Sequence, residues 1–297
     1  MSLINPINCD NTWLTLPDIL RKIVRKDGEG DIVMGVHGLE TLCAEYIPVY
    51  KIFTKKPSEP DKTYQSDLVC DLVAAHYWPR IDIMRVYANH TNANGEACLN
   101  WKNPALYGAT IVNAPIHTFR QGFLFNGTTQ YLNNNWVPSV SGVNYTQNSA
   151  SQILYIRTDI ASTGIHGTSS NNDLKDCYIW PRRNTNDWAY IRINDDTYVN
   201  SGSAINGSGL FINTRTAAAV NKLYRNGVAI INGTTASTGV PTHSPYTGAG
   251  NDDNVAGYFR ADQVAIEIWM DGCTQEDVTG ITNILNNYMT KLGTNVF

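Results

Sequence analysis

Charge is scarce in this chain. Only 16% of its 297 residues are Asp, Glu, Lys or Arg, and they sum to −4 at neutral pH. No basic stripe is left over for a nucleic-acid backbone or an anionic membrane, so neither is an expected partner. No apolar run reaches the roughly 18 residues that a membrane helix needs. The opening, MSLINPINCDNTW, has neither the basic nor the apolar stretch of a signal peptide. Cysteine is sparse and unpatterned: Cys9, Cys43, Cys70, Cys98, Cys177 and Cys273 make no CxxC or CxxH spacing. In a long chain without a secretion signal these read as free thiols, not as a disulfide framework. The histidines (His37, His76, His90, His117, His166 and His243) form no HxH, HxxxH or HExxH arrangement, and no serine lies in a G-x-S-x-G context. Zinc chemistry and serine–histidine catalysis are therefore not expected, and no cofactor is implied.

Asparagine and glycine are what the chain has in abundance. It holds 32 Asn and 23 Gly, the residues that tolerate positive φ and so punctuate turns. With many Tyr, Thr, Val and Ile between them, the composition points to an all-β protein with many hairpins. From about residue 70 onward the strands are short and regular. Ser151 to Thr158, Cys177 to Trp180, Trp188 to Ile193, Gly209 to Arg215 and Val264 to Met270 all read as strands. Phe123 to Leu132, around Asn126-Gly127, reads as one hairpin; Lys222 to Ile231, around Asn226-Gly227, reads as a second. A second Asn-Gly pair, Asn232-Gly233, closes the returning strand. The glycosylation triplet it begins is incidental, as are those at Asn89, Asn126, Asn144 and Asn206. One helix breaks the β pattern. Thr274-Gln-Glu-Asp277 is a capping box, and Val278, Ile281, Ile284, Leu285, Tyr288, Met289 and Leu292 follow at helical period.

The first 66 residues differ from the rest. They carry 17 charged residues against 31 in the remaining 231, so a domain boundary is placed at 66/67, with a segment at 1–66 and a larger domain at 67–297. Thr15-Leu16-Pro17-Asp18 opens a helix that Gly28 and Gly30 stop. Asp31 to Val36 is strand-like, Tyr46 to Phe53 is an extended run that Pro48 confines to an edge, and Lys55 to Asp67 is a linker. So small a segment with few apolar residues leans on a partner, either the larger domain or another protein.

The order Gly122-Phe-Leu-Phe-Asn-Gly-Thr-Thr-Gln-Tyr-Leu, Gly209-Leu-Phe-Ile-Asn-Thr-Arg, Leu223-Tyr-Arg-Asn-Gly and Val264-Ala-Ile-Glu-Ile-Trp, followed by the capped helix, resembles the concanavalin A-like, laminin-G-like sandwiches of bacteriophage virion proteins. The likeness covers about residues 70–295. It implies an antiparallel β-sandwich (jelly roll) with a C-terminal amphipathic helix; residues 1–66, which the likeness does not cover, are read from their own composition as a small N-terminal α+β attachment segment. It also implies a virion protein, made in the host cytoplasm and present in many copies or as a homo-oligomer. That segment would join other virion proteins while the sandwich adheres to host-cell surface glycan. A capsid-decorating or tail-assembly component without ligand is the alternative, and a glycan depolymerase on the same fold is a third.

Three constellations are candidates for chemistry. Glycan-cleaving members of that group carry an E-x-D-x-E strand, where alternation sets carboxylates on one face. Here Glu267-Ile-Trp-Met-Asp271 keeps the outer two but has Trp269 in the centre, so no catalytic residue is assigned. Oxygen-rich loops at Asn251 to Asn254 and Asn194 to Asp196 offer weak calcium candidates, Asp252 and Asp253 foremost, though such runs also make plain turns. Sugar binding needs aromatic faces beside amide and hydroxyl groups. Trp101, Trp136, Tyr145, Tyr246 and Tyr258 lie near Asn-rich segments. The loop Trp180-Pro-Arg-Arg-Asn-Thr-Asn-Asp-Trp188 fits best, a polar segment between two tryptophans. Trp180, Arg182, Arg183, Asn184, Asn186 and Trp188 are the candidate carbohydrate contacts.

Overall fold

The computed structural model describes residues 42–170 and 174–297, together with the strand pair β1 (Arg25–Lys26) and β2 (Ile32–Val33). The helix read from Thr15 lies outside the described residues, as does Cys9.

Two sheets stack face to face. The first runs β15 (Val228–Gly233), β14 (Val220–Arg225), β13 (Gly209–Ala217), β8 (Ala150–Ile156), β19 (Gln263–Met270), β6 (Gly122–Leu124), β5 (Ile116–Thr118), with β3 (Ile81–Val86) also paired to β19. The second runs β12 (Val199–Asn200), β11 (Tyr190–Asp195), β10 (Asp176–Trp180), β9 (His166–Ser169), β16 (Tyr246–Thr247), β7 (Tyr131–Asn133), β4 (Thr110–Val112); the hairpin β17 (Gly250–Asp252) and β18 (Val255–Gly257) joins it at β9. Among the described strands every pairing is antiparallel except β17 with β9; outside them a single parallel bridge joins Ser162 and Arg183. The expected antiparallel sandwich with a C-terminal helix is the fold of this chain.

The first sheet is buried on both faces, and its sequence shows why. Side chains alternate along a strand. On β8, Leu154 and Ile156 meet Phe211, Leu223 and Val264 of their own sheet and Ile179 and Ile191 of the other. Ile153 and Tyr155 point the opposite way, into a second core with Ile212, Ile266 and Ile268. Helices fill that side: α1 (Ile47–Ile52), α2 (Asp61–Ala74) and the C-terminal helix, which is α4 because a short α3 (Pro138–Ser141) intervenes. Helix α4 lays Val278, Ile281, Leu285, Tyr288 and Met289 on this face. Its capping box is present, with Thr274 N donating to Asp277 Oδ2 at 2.9 Å and Asp277 N to Thr274 Oγ1 at 3.3 Å.

Several local expectations are corrected. Tyr46 to Phe53 is not extended: Pro48 lies in the first turn of α1, where a missing N–H costs nothing. Tyr46, Val49 and Phe53 are buried at helical spacing. The second half of the expected linker is the start of α2, which runs unbroken through residue 66 and packs against α4. Cys43, Tyr46, Val49 and Phe53 share the core of the first sheet's helical side. Asn126-Gly127 does not close a hairpin either. β6 belongs to the first sheet and β7 to the second, so the chain changes sheets there. The Asn126 side chain is used as a cap, its Oδ1 accepting from the backbone N–H of Thr128, Thr129 and Gln130 at 3.0–3.1 Å. By contrast Asn226-Gly227 does form a two-residue hairpin between Arg225 and Val228. Among the described residues the five cysteines are free thiols.

Candidate functional site

Helices cover the outer face of the first sheet, so a ligand that approaches the sandwich face-on meets the second. At the corner formed by β10, β11 and β12 that face is open. Alternation sends Cys177, Ile179, Ile191 and Ile193 inward and Tyr178, Trp180, Tyr190 and Arg192 outward. The register sets Trp180 opposite Tyr190 and Tyr178 opposite Arg192. The rings of Trp180 and Tyr190 lie 5.4 Å apart, and Tyr198 stands edge-on to Tyr190 at 5.4 Å. Tyr198 is 53% exposed and Trp180, Arg183 and Arg192 are half-buried, whereas Tyr178 and Tyr190 are buried beneath the two guanidinium groups and act as their platform.

Two guanidinium groups stack on these rings. Arg183 sits 4.9 Å from the Trp180 ring centre and 5.3 Å from that of Tyr190. Arg192 sits 5.6 Å from Tyr178 and 5.9 Å from Tyr198, and its Nη1 pairs with buried Asp176. Half-buried cation–aromatic contacts of this kind contribute about 0.5–2 kcal/mol each.

The loop that carries Arg183 is ordered by its own hydrogen bonds. Arg183 N donates to Trp188 O at 2.9 Å, and Asp187 N to Arg183 O at 2.8 Å. Asn184 N and Trp180 Nε1 both donate to Ser162 O, at 3.2 and 2.8 Å. The structure brings Trp180, Arg183 and Asn186 together: Asn186 Nδ2 donates to Tyr190 Oη at 2.7 Å. Asn184 is exposed at the loop tip and Trp188 is half-buried at its end. Arg182 turns away to Asp159 and Asp187, both at 2.9 Å, and these carboxylates push its pKa up.

Sequence reasoning missed Tyr190, Arg192 and Tyr198. The signal was available in part, because Tyr190 and Arg192 alternate with Ile191 and Ile193. What the sequence lacks is the register that sets them beside Trp180. Four other aromatics raised as loop candidates are not surface groups: Trp101, Trp136, Tyr145 and Tyr246 are buried.

The carboxylate pair is also resolved. Glu267 points between the sheets and is 1% exposed. Its oxygens accept from Tyr87 Oη, from Asn134 Nδ2 at 2.7 Å and from Trp269 Nε1 at 2.9 Å, with Arg85 Nη1 at 3.4 Å. Asp271 lies at the strand end, where Arg80 binds it and Asp277 together. The two do not flank a substrate space: Glu267 is buried and paired with Arg85, and Asp271 is held at the strand end.

Asp252 and Asp253 belong to the β17–β18 turn, where Asp253 and Asn254 take φ of 51° and 69°. Asp195, in the other oxygen-rich run, pairs with Arg215 inside the sandwich. Among the described residues no three His, Cys, Asp or Glu side chains gather as a metal site. A groove of about 460 Å³ beside α3 is lined by Asp82, Lys102, Leu106 and Val143 among others. Its charged groups are engaged in the fold. Asp82 accepts from the backbone N–H of Val143, Asn144 and Tyr145, and Lys102 Nζ donates to Trp78 O.

No family model matches the chain, and no curated protein matches it. Solved structures are similar to it in part. A Trypanosoma rangeli sialidase in complex with sialic acid is 12% identical with a TM-score of 0.47, over 74% of this chain and 34% of that one, so the chain spans about a third of that enzyme. Domain 4 of AbnA, an extracellular GH43 arabinanase of Geobacillus stearothermophilus in complex with arabinotriose, is 14% identical with a TM-score of 0.44, over 68% of this chain and 98% of that one. A botulinum neurotoxin type C structure, from a toxin whose cell entry depends on two ganglioside molecules, is 10% identical with a TM-score of 0.49, over 71% of this chain and 53% of that one. At TM-scores of 0.44 to 0.49 and identities of 10 to 14% these likenesses carry neither fold nor activity across; the fold stands on the sheets described above.

Proposed function

We propose that this chain is a bacteriophage virion protein whose sandwich holds host-surface glycan at the open corner of its second sheet. The observation that supports the site is the cluster of exposed Tyr198 with half-buried Trp180, Arg183 and the Asn186 amide, assembled around the buried ring of Tyr190. Aromatic rings offer faces to sugar C–H groups, while amides and hydroxyls offer hydrogen bonds; a prearranged loop lowers the ordering cost of binding. Binding without cleavage is supported by the carboxylates around the corner, since Asp159, Asp176 and Asp187 are each paired to an arginine. The virion setting rests on the sequence resemblance, and the attachment role of residues 1–66 on their higher charge and small apolar stock. Many copies on one particle convert weak single contacts into avidity.

Glycan-array screening of the full chain, coupled at several copies per bead, tests the reading. Binding to a defined glycan set is expected. Tyr198→Ala, which removes an exposed ring, should weaken it about tenfold, roughly 1.4 kcal/mol. No binding to any glycan at high copy number overturns the proposal.

A further inference from the structure

Three arginines meet at the open corner, and the fold treats one of them differently. Arg182 is matched by Asp159 and Asp187, and Arg192 by Asp176. The guanidinium of Arg183 has neither a carboxylate nor a hydrogen-bond acceptor among the described residues, and its Nε is buried without a partner. Every other described arginine side chain donates at least one hydrogen bond: Arg80, Arg85, Arg120, Arg215 and Arg260 to acids, Arg157 and Arg225 to amide or backbone oxygens. A cation drawn partly out of water without a counter-charge costs stability. Stacking on Trp180 and Tyr190 offsets part of that cost and fixes the plane of the group. With Nε buried, the free edge is the end that carries the two Nη groups, which are neither buried nor bonded among the described residues, and that end is a fork matched to a planar two-oxygen anion.

We infer that Arg183 is the anchor for a carboxylate on the bound glycan, so that this corner selects acidic sugars. The inference rests on the glycan-binding reading above and narrows it. A carboxylate held in the fork would neutralise Arg183, with the half-buried Asn186 and the exposed ring of Tyr198 left to meet hydroxyl groups and ring faces. The shared chemistry is a sugar carboxylate, supplied either by a uronic acid or by a nonulosonic acid.

Matched pairs of oligosaccharides separate the possibilities. The full chain is titrated with oligogalacturonate and its carboxyl-reduced neutral form, and with sialyllactose and lactose. The expected result is at least about tenfold tighter binding of the acidic member of one pair; which pair shows it identifies the acid. Added salt should narrow that difference. Arg183→Gln should abolish the preference while keeping residual affinity for the neutral sugar. Arg183→Lys, which keeps the charge but loses the fork, should restore only part of it. Thermal unfolding of both variants near the parent temperature shows that the fold persists. Equal binding of acidic and neutral members, or a preference that survives Arg183→Gln, overturns the inference and leaves glycan binding standing. Should neither member of any pair bind, and the array also fail, both readings fall.

Discussion

At Asn226 and Gly227 the backbone takes φ of 51° and 82°, the two left-handed positions of a type I′ turn. A Cβ on Gly227 would meet nothing nearer than Thr282 at 3.7 Å, so its cost is conformational. Gly227→Ala should therefore lower stability by about 1–2 kcal/mol, read as a shift of the denaturant midpoint with unchanged slope. Glu267 presents the opposite situation. It is the shared acceptor for Arg85, Tyr87, Asn134 and Trp269 between the sheets. Glu267→Ala leaves Arg85 buried without its counter-charge and should cost about 3–5 kcal/mol. A stability loss much under 1 kcal/mol for that variant would contradict the structural role.

At the scale of elements, helix α4 is held at its start by a small network. Thr274 and Asp277 cap each other, and Arg80 ties Asp277 to Asp271 at the end of β19. Thr274→Ala should cost about 1 kcal/mol, and the amides of the first turn of α4 should exchange faster while the strands keep their protection. Uniformly faster exchange over the whole sandwich would mean that the cap is not local. The stripe and cap of this helix were legible because both signals sit within a few residues. Helix α1 was not legible. A run of six residues carries little periodicity, and Pro48 supports an extended edge as well as a first helical turn. Only the burial of Tyr46, Val49 and Phe53 against other elements decides it.

For the molecule as a whole, three histidines set a pH dependence. Burial lowers the pKa of His90, His117 and His166 from the ordinary 6.5. His166 shows the cause in its contacts: Gly248 N–H donates to Nδ1, so Nδ1 carries no proton, and Nε2–H donates to Asp262. Below 6.5 the unfolded chain binds protons that the folded one refuses. Stability contributed by these groups is full above that value and is lost as pH falls toward the folded values. The denaturant midpoint should decline from about pH 7 toward about pH 5. Asp195, whose carboxyl is pushed up to about 6 by burial, takes up a proton in the fold over the lower part of this window and opposes the decline; a flat profile in an Asp195→Asn variant would mean that the three rings charge freely in the fold.

The sequence alone determined the class of this protein. Turn residues, alternating strands and one capped amphipathic helix are local signals, because each is a statement about neighbours a few positions apart. It also pointed to the loop from Trp180 to Trp188, since two tryptophans and a polar run are visible without any fold. It could not distinguish a hairpin at Asn126 from a passage between sheets, because that depends on which distant strand each half joins. Nor could it show that Glu267 faces inward, or that Arg183 lies over Trp180 and Tyr190 while its neighbours find acids. Those facts follow from strand register and sheet stacking. Both come from contacts between residues far apart in the chain, and only the tertiary structure supplies them.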